Sequence, residues 1–341
     1  MKDRPTMNDV AAAAGVSQAT VSMVLNQSQA GRVSAETSKR VLEAAKELGF
    51  RTNVHAKVLR EGRSRMIGFV GDEVATTPFA GEMILGAQQE AWRRGYVLLT
   101  VDTAGDGKLE RAAVSMMQSY QVAGMIFAAM YHRPLEAPQG LGGMPTVFVN
   151  AQDPTGTFTS VFPDEVAGGR AAARVLLDAG HRDMAMINIA PEGSSLPAAS
   201  GRLQGFVDAL AEAGVALSPE RLRYGAGGYE DGLLHGTDLL SAQDRPTAIF
   251  CGNDRTALGA YHAAQALGLS VPDDVSIVGF DNQGLLMPMF SPRLTTFQLP
   301  LAEMGRLAVA RVLDGDKEPT RLAVECSLQL RDSVAPVKVL R

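Results

Sequence analysis

The sequence is poor in the residues that mark disulfide scaffolds, metal centres and membrane proteins. Its two cysteines, Cys251 and Cys326, form no CxxC pair or Cys/His cluster, and its five histidines show no metal-ligand spacing. We therefore expect no disulfide framework, no structural metal and no other cofactor. No run approaches the roughly 18 apolar residues of a membrane span. The N-terminal segment also lacks an apolar signal-peptide core, so we expect a cytoplasmic protein.

The sequence also lacks the motifs of common α/β enzymes. It has no GxSxG elbow and no P-loop, and its glycine-rich stretches at 140–143 and 225–228 do not have the GxGxxG spacing. An α/β enzyme stays a minor interpretation, because no set of residues predicts its reaction. We expect a protein that is not an enzyme.

The charge of the chain is unevenly distributed. The 341 residues are 46% hydrophobic and 20% charged, which is typical of a globular protein with two domains and a small addition. The formal net charge is −5, yet residues 1–65 hold eleven Lys/Arg against six Asp/Glu. This segment carries +5 and the remainder −10, which indicates a nucleic-acid-binding head on an acidic body. A basic pair of terminal helices without that role is the alternative.

The basic head predicts three short helices around one small core. The first helix begins after Thr6 as its cap and ends at Gly15. The second, 18–25, follows Ser17 as its cap, and the third covers 35–48. Apolar residues recur at helical spacing in all three, so we expect them to share a core.

The turn between the first two helices is typical of a helix-turn-helix. Its sequence is Ala-Gly-Val-Ser over 14–17, in which glycine permits the tight turn and serine caps the next helix. The outward face of the second helix carries small, polar and amide side chains that suit base edges in a major groove. These residues are Gln18, Ala19, Ser22, Met23 and Asn26. A three-helix packing module with a solvated face is the alternative.

From Met66 onward the pattern changes to alternating strands and helices. Continuous aliphatic runs predict strands buried on both faces of parallel sheets, at 66–70, 96–101, 124–128, 146–149, 184–189, 248–251 and 276–280. Amphipathic segments predict helices at 81–94, 109–120, 166–179, 201–213, 255–267 and 301–313. The alternation predicts doubly wound α/β layers in two similar halves with a cleft between them.

The head resembles a known family of DNA-binding proteins. The segment TMNDVAAAAGVSQATVSMVLN, from Thr6 to Asn26, and the later VLEAAKELGF are similar to the N-terminal signature of the lac repressor (LacI/GalR) family of bacterial transcription regulators. The resemblance continues through nearly the whole chain. It implies an α/β protein with an N-terminal three-helix helix-turn-helix domain and a two-lobed, periplasmic-binding-protein-like core of parallel sheets.

The resemblance also implies a domain division and partners. Residues 1–50 would be the DNA-binding domain, 51–65 a hinge helix or linker, and 66–341 the effector-binding core. Its first lobe would hold about 66–162 and 295–323, and its second about 163–294 and 324–341. The protein would be a homodimer on a pseudo-palindromic double-stranded DNA operator, most often a repressor, controlled by a small-molecule effector.

By motif position, the resemblance implies DNA contacts from the head and the hinge. Gln18 and Ala19 would select the half-site sequence. Met23 replaces the family's usual arginine, so either the operator differs at that base pair or the readout there is apolar. Leu59 would wedge open a base step in the minor groove, whereas a plain charged linker is the alternative for this segment. The implied DNA-binding set is Thr6, Ser17, Gln18, Ala19, Thr20, Ser22, Met23, Asn26, Asn53, Ala56 and Leu59.

The resemblance further implies an effector site between the lobes. Arg202, Asn253 and Asp281 would hydrogen-bond ligand hydroxyls, while Phe79 and Tyr229 would pack against the apolar face of the ligand. The effector implied is a carbohydrate or a carbohydrate derivative such as a phosphate, with a purine or nucleoside as the next candidate.

Alternatives remain for the body. Asp281 could cap a loop instead, and Asp254 is predicted to cap the helix that follows it. Arg202 is predicted to open its helix, and Asn150 and Asp164 are further candidate contacts. A periplasmic-type solute-binding protein without a DNA role is the other functional interpretation, against which the basic head argues.

Overall fold

The computed structural model describes residues 5–25, 33–50, 64–315 and 318–337. The chain divides into two compact units, Met1–Ser64 and Arg65–Arg341. Four of the predicted DNA-contact residues lie outside the described residues, namely Asn26, Asn53, Ala56 and Leu59.

The first unit contains the predicted three helices. They are α1 (Met7–Ala14), α2 (Gln18–Leu25) and α3 (Ala35–Glu47). Thr6 caps α1 in a capping box, and Gly15 ends it in the left-handed conformation with φ of 63°. Ser17 and Ser34 accept hydrogen bonds at the starts of α2 and α3. Leu48, predicted as the last residue of α3, is instead its C-cap.

One fully buried valine from each helix forms the centre of this unit. Val10, Val21 and Val41 are inaccessible to solvent and pack with alanines of α1 and α3. The core predicted from helical spacing is confirmed for these valines, but Leu42 and Leu48, which the same spacing assigned to it, are exposed.

The second unit begins with a six-stranded sheet. Its strands are β1 (Met66–Asp72), β2 (Val97–Asp102), β3 (Met125–Pro134), β4 (Thr146–Gln152), β5 (Thr159–Pro163) and β11 (Arg321–Val324). They lie in the order β11-β5-β4-β3-β1-β2, and all neighbours are parallel. The helices of this half, which we call the first lobe, are α4 (Gly81–Arg93), α5 (Gly107–Ser119) and α10 (Leu301–Asp314).

A second parallel sheet forms the other half, which we call the second lobe. Its strands are β6 (Met184–Asn188), β7 (Leu222–Tyr224), β8 (Ala248–Cys251) and β9 (Ser276–Val278), in the order β7-β6-β8-β9. Its helices are α6 (Glu165–Asp178), α7 (Pro197–Glu212), α8 (Tyr229–Ser241) and α9 (Asp254–Ala266). The short strands β10 (Thr296–Gln298) and β12 (Ser327–Gln329) pair antiparallel. No helix within the described ranges has the length and apolar character needed to cross a bilayer.

The predicted parallel α/β architecture is confirmed, with corrections in detail. Strand β2 contains only exposed and half-buried residues because it lies at the sheet edge, so its predicted burial on both faces is wrong. Strand β3 runs six residues beyond its predicted end at Ala128. The short strands β5, β7, β10, β11 and β12, and the helix α8, were not predicted.

Three helix pairs meet through reciprocal glycines. A Cβ atom at Gly205 of α7 would lie 1.9 Å from the carbonyl oxygen of Val166, and one at Gly169 of α6 would lie 2.0 Å from that of Arg202. The pairs α4–α10 and α8–α9 repeat this contact through Gly86, Gly305, Gly232 and Gly259. The backbones therefore approach closely, and this brings Glu165 at the start of α6 beside Arg202.

Candidate functional sites

A cleft between the two lobes collects side chains from the carboxyl ends of strands in both sheets. The cavity that it encloses is small, about 20 Å³, which is room for about one water molecule. Four of the five predicted effector residues line it, namely Phe79, Arg202, Asn253 and Asp281.

Arg202 is the buried centre of the cleft. Its Nε donates to Oε2 of Glu165 at 2.7 Å, and its Nη1 lies 3.2 Å from Oδ1 of Asp281. Its guanidinium lies 3.9 Å from the ring centroid of Phe280. The prediction that Arg202 opens its helix is wrong. The helix begins at Pro197, whose fixed φ suits the first turn, so Arg202 lies in the second turn.

The environment sets the ionisation of the two carboxyl groups beside Arg202. Burial opposes ionisation of Glu165, but the guanidinium outweighs it, so the pKa of Glu165 lies below its usual value. Burial dominates at Asp281, where it raises the pKa despite the neighbouring arginine. The cleft thus holds one guanidinium between two carboxyl groups, and Arg202 is largely neutralised by protein partners.

Asp281 is held by side chains in a strained backbone conformation. Its φ is 101°, in a region that favours glycine. Its Oδ1 faces Arg202, and its Oδ2 accepts from Nε2 of Gln283 at 2.9 Å. Both oxygens therefore bond side chains and not a loop amide. A strained, buried carboxyl group at a cleft is the arrangement expected of a ligand-contact residue.

Asn253, and not Asp254, caps α9. Asn253 has an extended backbone, and its Oδ1 accepts from the amide of Thr256 at 2.9 Å. Its Nδ2 donates to the carbonyl of Gly227 at 3.0 Å. The prediction that Asp254 caps this helix is wrong because Asp254 is its first helical residue. Asn253 keeps one amide hydrogen for another acceptor.

Asp254 is fully buried behind the cleft. Its carboxyl group accepts from Oγ1 of Thr296 at 2.6 Å and from the amide of Gln283 at 2.7 Å. Burial, together with the nearby Asp281, raises the pKa of Asp254 to about 8. Asp254 therefore supports the loop that carries Asp281, and it does not line the cleft.

The remaining predicted body residues divide into two groups. Phe79 is half-buried and lines the cleft, as does Asn150, whose Nδ2 donates to the carbonyls of Ala129 and Met130. Tyr229 does not line the cleft, and its hydroxyl bonds Nδ1 of His262 at 2.8 Å. Asp164 caps α6 through the amide of Ala167, and it also does not line the cleft.

Three polar cleft residues were not predicted from the sequence. Tyr131 and His132 lie on the unpredicted extension of β3, and Glu165 is the first residue of α6. A glutamate at a helix start is ordinary, so only its contact with Arg202 marks it. Tyr131 accepts from Nη2 of Arg255 at 3.3 Å, which joins the lobes. Across the described ranges, no group of His, Cys, Asp and Glu could hold a metal ion.

The predicted DNA-facing residues of the first unit differ in exposure. Gln18 and Ala19 are exposed at the start of α2, whereas Ser22 and Met23 are half-buried. The hydroxyls of Thr6, Ser17 and Thr20 make local hydrogen bonds at the starts of α1 and α2, where Thr6 bonds Asp9 and Ser17 bonds Thr20. The exposed pair therefore offers side chains at a helix N-terminus, a position suited to base edges.

Comparison with known families gives two matches. Residues 6–53 match the profile of the bacterial regulatory proteins of the lacI family, and residues 173–334 match the periplasmic binding protein-like domain. The chain is 34% identical to the HTH-type transcriptional regulator DegA of Bacillus subtilis, over 98% of this chain and 99% of that protein. It is 33% identical to the ribose operon repressor of Haemophilus influenzae, again over 98% and 99%.

Solved structures share the fold over nearly the whole chain. The lac repressor dimer bound to operator and the anti-inducer ONPF gives a TM-score of 0.79 at 27% identity, over 98% of this chain and 100% of that one. The complex of the transcriptional regulator CelR with cellobiose gives a TM-score of 0.65 at 30% identity, over 97% and 100%.

Proposed function

Because this chain belongs to the lacI family of bacterial regulatory proteins and is a DNA-binding transcriptional regulator, we propose that it represses transcription under the control of a polyhydroxylated effector. The observation that carries the proposal is the convergence of Arg202 and Asp281 in a cleft between two lobes. Charged, buried and hydrogen-bonding groups collected at such a cleft are typical of a small-molecule site.

The DNA-binding part of the proposal assigns roles to the first unit and the hinge. Gln18 and Ala19 read base edges, with Met23 beside them, and the remaining residues hold phosphates or frame the helix. Leu59 enters the minor groove from the hinge, and the protein binds as a homodimer because one head contacts only a half-site. The proposed contacts are Thr6, Ser17, Gln18, Ala19, Thr20, Ser22, Met23, Asn26, Asn53, Ala56 and Leu59. Residues 1–50, 51–65 and 66–341 are the proposed reader, hinge and sensor.

The effector part of the proposal rests on the lining of the cleft. Asp281 and Asn253 supply acceptor and donor atoms, while Phe79 and Ile189 supply apolar surface. That combination suits a sugar, whose hydroxyls need partners and whose C–H face needs cover. The neutralisation of Arg202 by two carboxyl groups favours an uncharged sugar over a sugar phosphate.

The proposed mechanism is a two-state change in the closure of the lobes. An effector that contacts both lobes favours the closed state, and the proposed hinge orders or melts with it. A coupling of about 1–3 kcal/mol would change operator affinity several-fold to about a hundredfold.

The proposal also covers catalysis and cellular location. We infer that the protein catalyses no reaction, in keeping with relatives that are named as regulators, and that it acts in the cytoplasm, where an operator is accessible. A solute-binding protein without a DNA role is not favoured, because residues 6–53 match a DNA-binding family.

The test uses the full chain and random DNA. In vitro selection should yield a pseudo-palindromic sequence, and fluorescence anisotropy on it should then be repeated with sugars, sugar phosphates, nucleobases and nucleosides. We expect one neutral sugar to change the affinity for the selected DNA and to raise the melting temperature. Selection without a palindrome would refute the dimeric operator, and a response to nucleobases alone would refute the sugar.

A further inference from the structure

Two buried polar atoms lining the cleft have no hydrogen-bond partner among the described residues. They are Nδ1 of His132 and Oε1 of Glu165, which lie 3.5 Å from each other, a long ion-pair contact through which His132 helps to lower the pKa of Glu165. The side chains are only 4% and 3% exposed, and both line the cleft. A buried donor or acceptor without a partner is costly, so these atoms are poised for a ligand group.

The neighbours of His132 fix which of its nitrogens carries the proton. Its Nε2 lies 2.7 Å from Nε2 of Gln152, whose Oε1 accepts from the guanidinium of Arg321. The amide nitrogen of Gln152 can only donate, so Nε2 of His132 must accept. In the neutral ring the proton therefore sits on Nδ1, which is a donor that faces Oε1 of Glu165.

The neighbours of Glu165 leave one of its oxygens available as an acceptor. Its Oε2 is bonded to Nε of Arg202 at 2.7 Å, and that arginine keeps the pKa of the carboxyl group low. Glu165 is thus ionised, and Oε1 is the carboxylate oxygen that faces His132. The cleft presents a donor and a carboxylate acceptor side by side.

We propose that His132 and Glu165 together bind one hydroxyl group of the effector. The hydroxyl accepts from Nδ1–H of His132 and donates to Oε1 of Glu165, because hydroxyls do both. This proposal rests on the proposed function, since it assumes a polyhydroxylated effector in this cleft. An anionic group at this end of the cleft would meet the Glu165 carboxylate, so this end of the effector is neutral.

The pair also joins the two lobes through the ligand. His132 lies on β3 of the first lobe, where its ring stacks on Phe162 at 4.9 Å between centroids. Glu165 begins α6 of the second lobe. A hydroxyl held by both side chains is a ligand contact made only when the lobes are close, so the pair gives the effector a preference for the closed state.

The test compares two amide replacements of His132 in the full-length protein. In His132→Asn the amide nitrogen reaches the position of Nδ1, whereas in His132→Gln the amide reaches the position of Nε2. Both variants lose the ring that stacks on Phe162, so a purely structural role predicts equal losses. Calorimetric titrations use D-ribose, D-glucose, D-galactose and cellobiose, and then the monodeoxy analogues of the sugar that binds.

The expected results separate this inference from the proposed function. His132→Gln should bind the sugar about tenfold more weakly, and His132→Asn should recover most of that loss. One monodeoxy analogue should bind the native protein about tenfold more weakly but bind His132→Gln as well as the parent sugar does.

Other outcomes overturn one proposal or both. The hydroxyl contact would be refuted if both variants lost the same affinity for the sugar and both still bound each deoxy analogue more weakly than the parent sugar, as the native protein does. The proposed sugar sensor would then stand. If none of these sugars binds the native protein, the polyhydroxylated effector and the contact both fail.

Discussion

At the scale of single residues, the cleft shows how burial and neighbours determine charge. Glu165 and Asp254 are both buried carboxyl groups, but only Glu165 bonds a guanidinium. The pKa of Glu165 therefore falls, whereas that of Asp254 rises to about 8 through burial and the nearby Asp281. Two acids of similar type thus have opposite ionisation behaviour within one lobe.

The raised pKa of Asp254 predicts a pH dependence of stability. Folding raises this pKa from 3.8 to about 8, so the native state binds the proton more tightly than the unfolded state does. The contribution of Asp254 to the free energy of unfolding therefore falls as pH rises from about 4 to about 8, by at most about 1.4 kcal/mol per pH unit. Urea unfolding at pH 5, 6, 7 and 8 should show the free energy of unfolding of Asp254→Asn increasing relative to that of the native protein as pH rises.

Asparagine is a fair replacement here, because it can accept from the Gln283 amide and donate to Thr296. Curves for the two proteins that stay parallel from pH 5 to 8 would contradict the raised pKa.

Residue roles were predictable only in part. Arg202, Asn253 and Asp281 were predicted because they follow strand ends in a familiar pattern, and the structure brings all three to the cleft. His132 was missed, since an isolated histidine without metal-ligand spacing carries no signal in the sequence. Its place depends on β3 running six residues past its apolar run, which is a tertiary property.

At the scale of elements, the reciprocal glycines determine how closely the helices pack. The contact between α6 and α7 is the one that places Glu165 against Arg202. A side chain at either crossing glycine would meet backbone, which cannot move aside as a flexible side chain can. This packing is therefore sensitive to a single methyl group.

We predict that Gly205→Ala destabilises the protein by about 1–3 kcal/mol, because its Cβ would meet the Val166 carbonyl oxygen at 1.9 Å. The matched control is Gly81→Ala, at the first position of α4, where a Cβ meets no atom within 4 Å. Urea unfolding should show a lower free energy of unfolding for Gly205→Ala and no decrease for Gly81→Ala. Equal stability of both variants would contradict the close crossing.

The elements themselves were largely predictable, and the failures have a common cause. Long aliphatic runs such as β1 and β4, and capped helices such as α1, carry their signal in sequence. The missed strands have three to five residues, so their periodicity is too short to recognise. They form because a neighbouring strand offers free backbone groups, as β5 does for β11.

At the scale of the whole molecule, DNA contact and effector contact are assigned to different compact units. Their separation predicts that a change in the cleft can remove the response to effector without removing DNA binding. Asp281→Asn is the suitable change, because it keeps the size of the side chain while removing its charge.

For Asp281→Asn we expect unaltered affinity for selected DNA and loss of the effector response in fluorescence anisotropy. Asp164→Asn is the matched control, since Asp164 caps α6 outside the cleft and asparagine caps equally well. The control should respond to effector as the native protein does. A fully responsive Asp281→Asn would exclude Asp281 from the effector site.

The path of the chain through the two lobes has a consequence for biosynthesis. Strand β11 completes the edge of the first sheet, and in the second the amide of Ile277 donates to the carbonyl of Ser333. Both sheets thus gain edge hydrogen bonds from residues 321–337, far along the chain from most of the strands that they join. Neither lobe can therefore reach its native form until residues 321–337 have been synthesised, and until then the nascent chain exposes unfinished sheet edges.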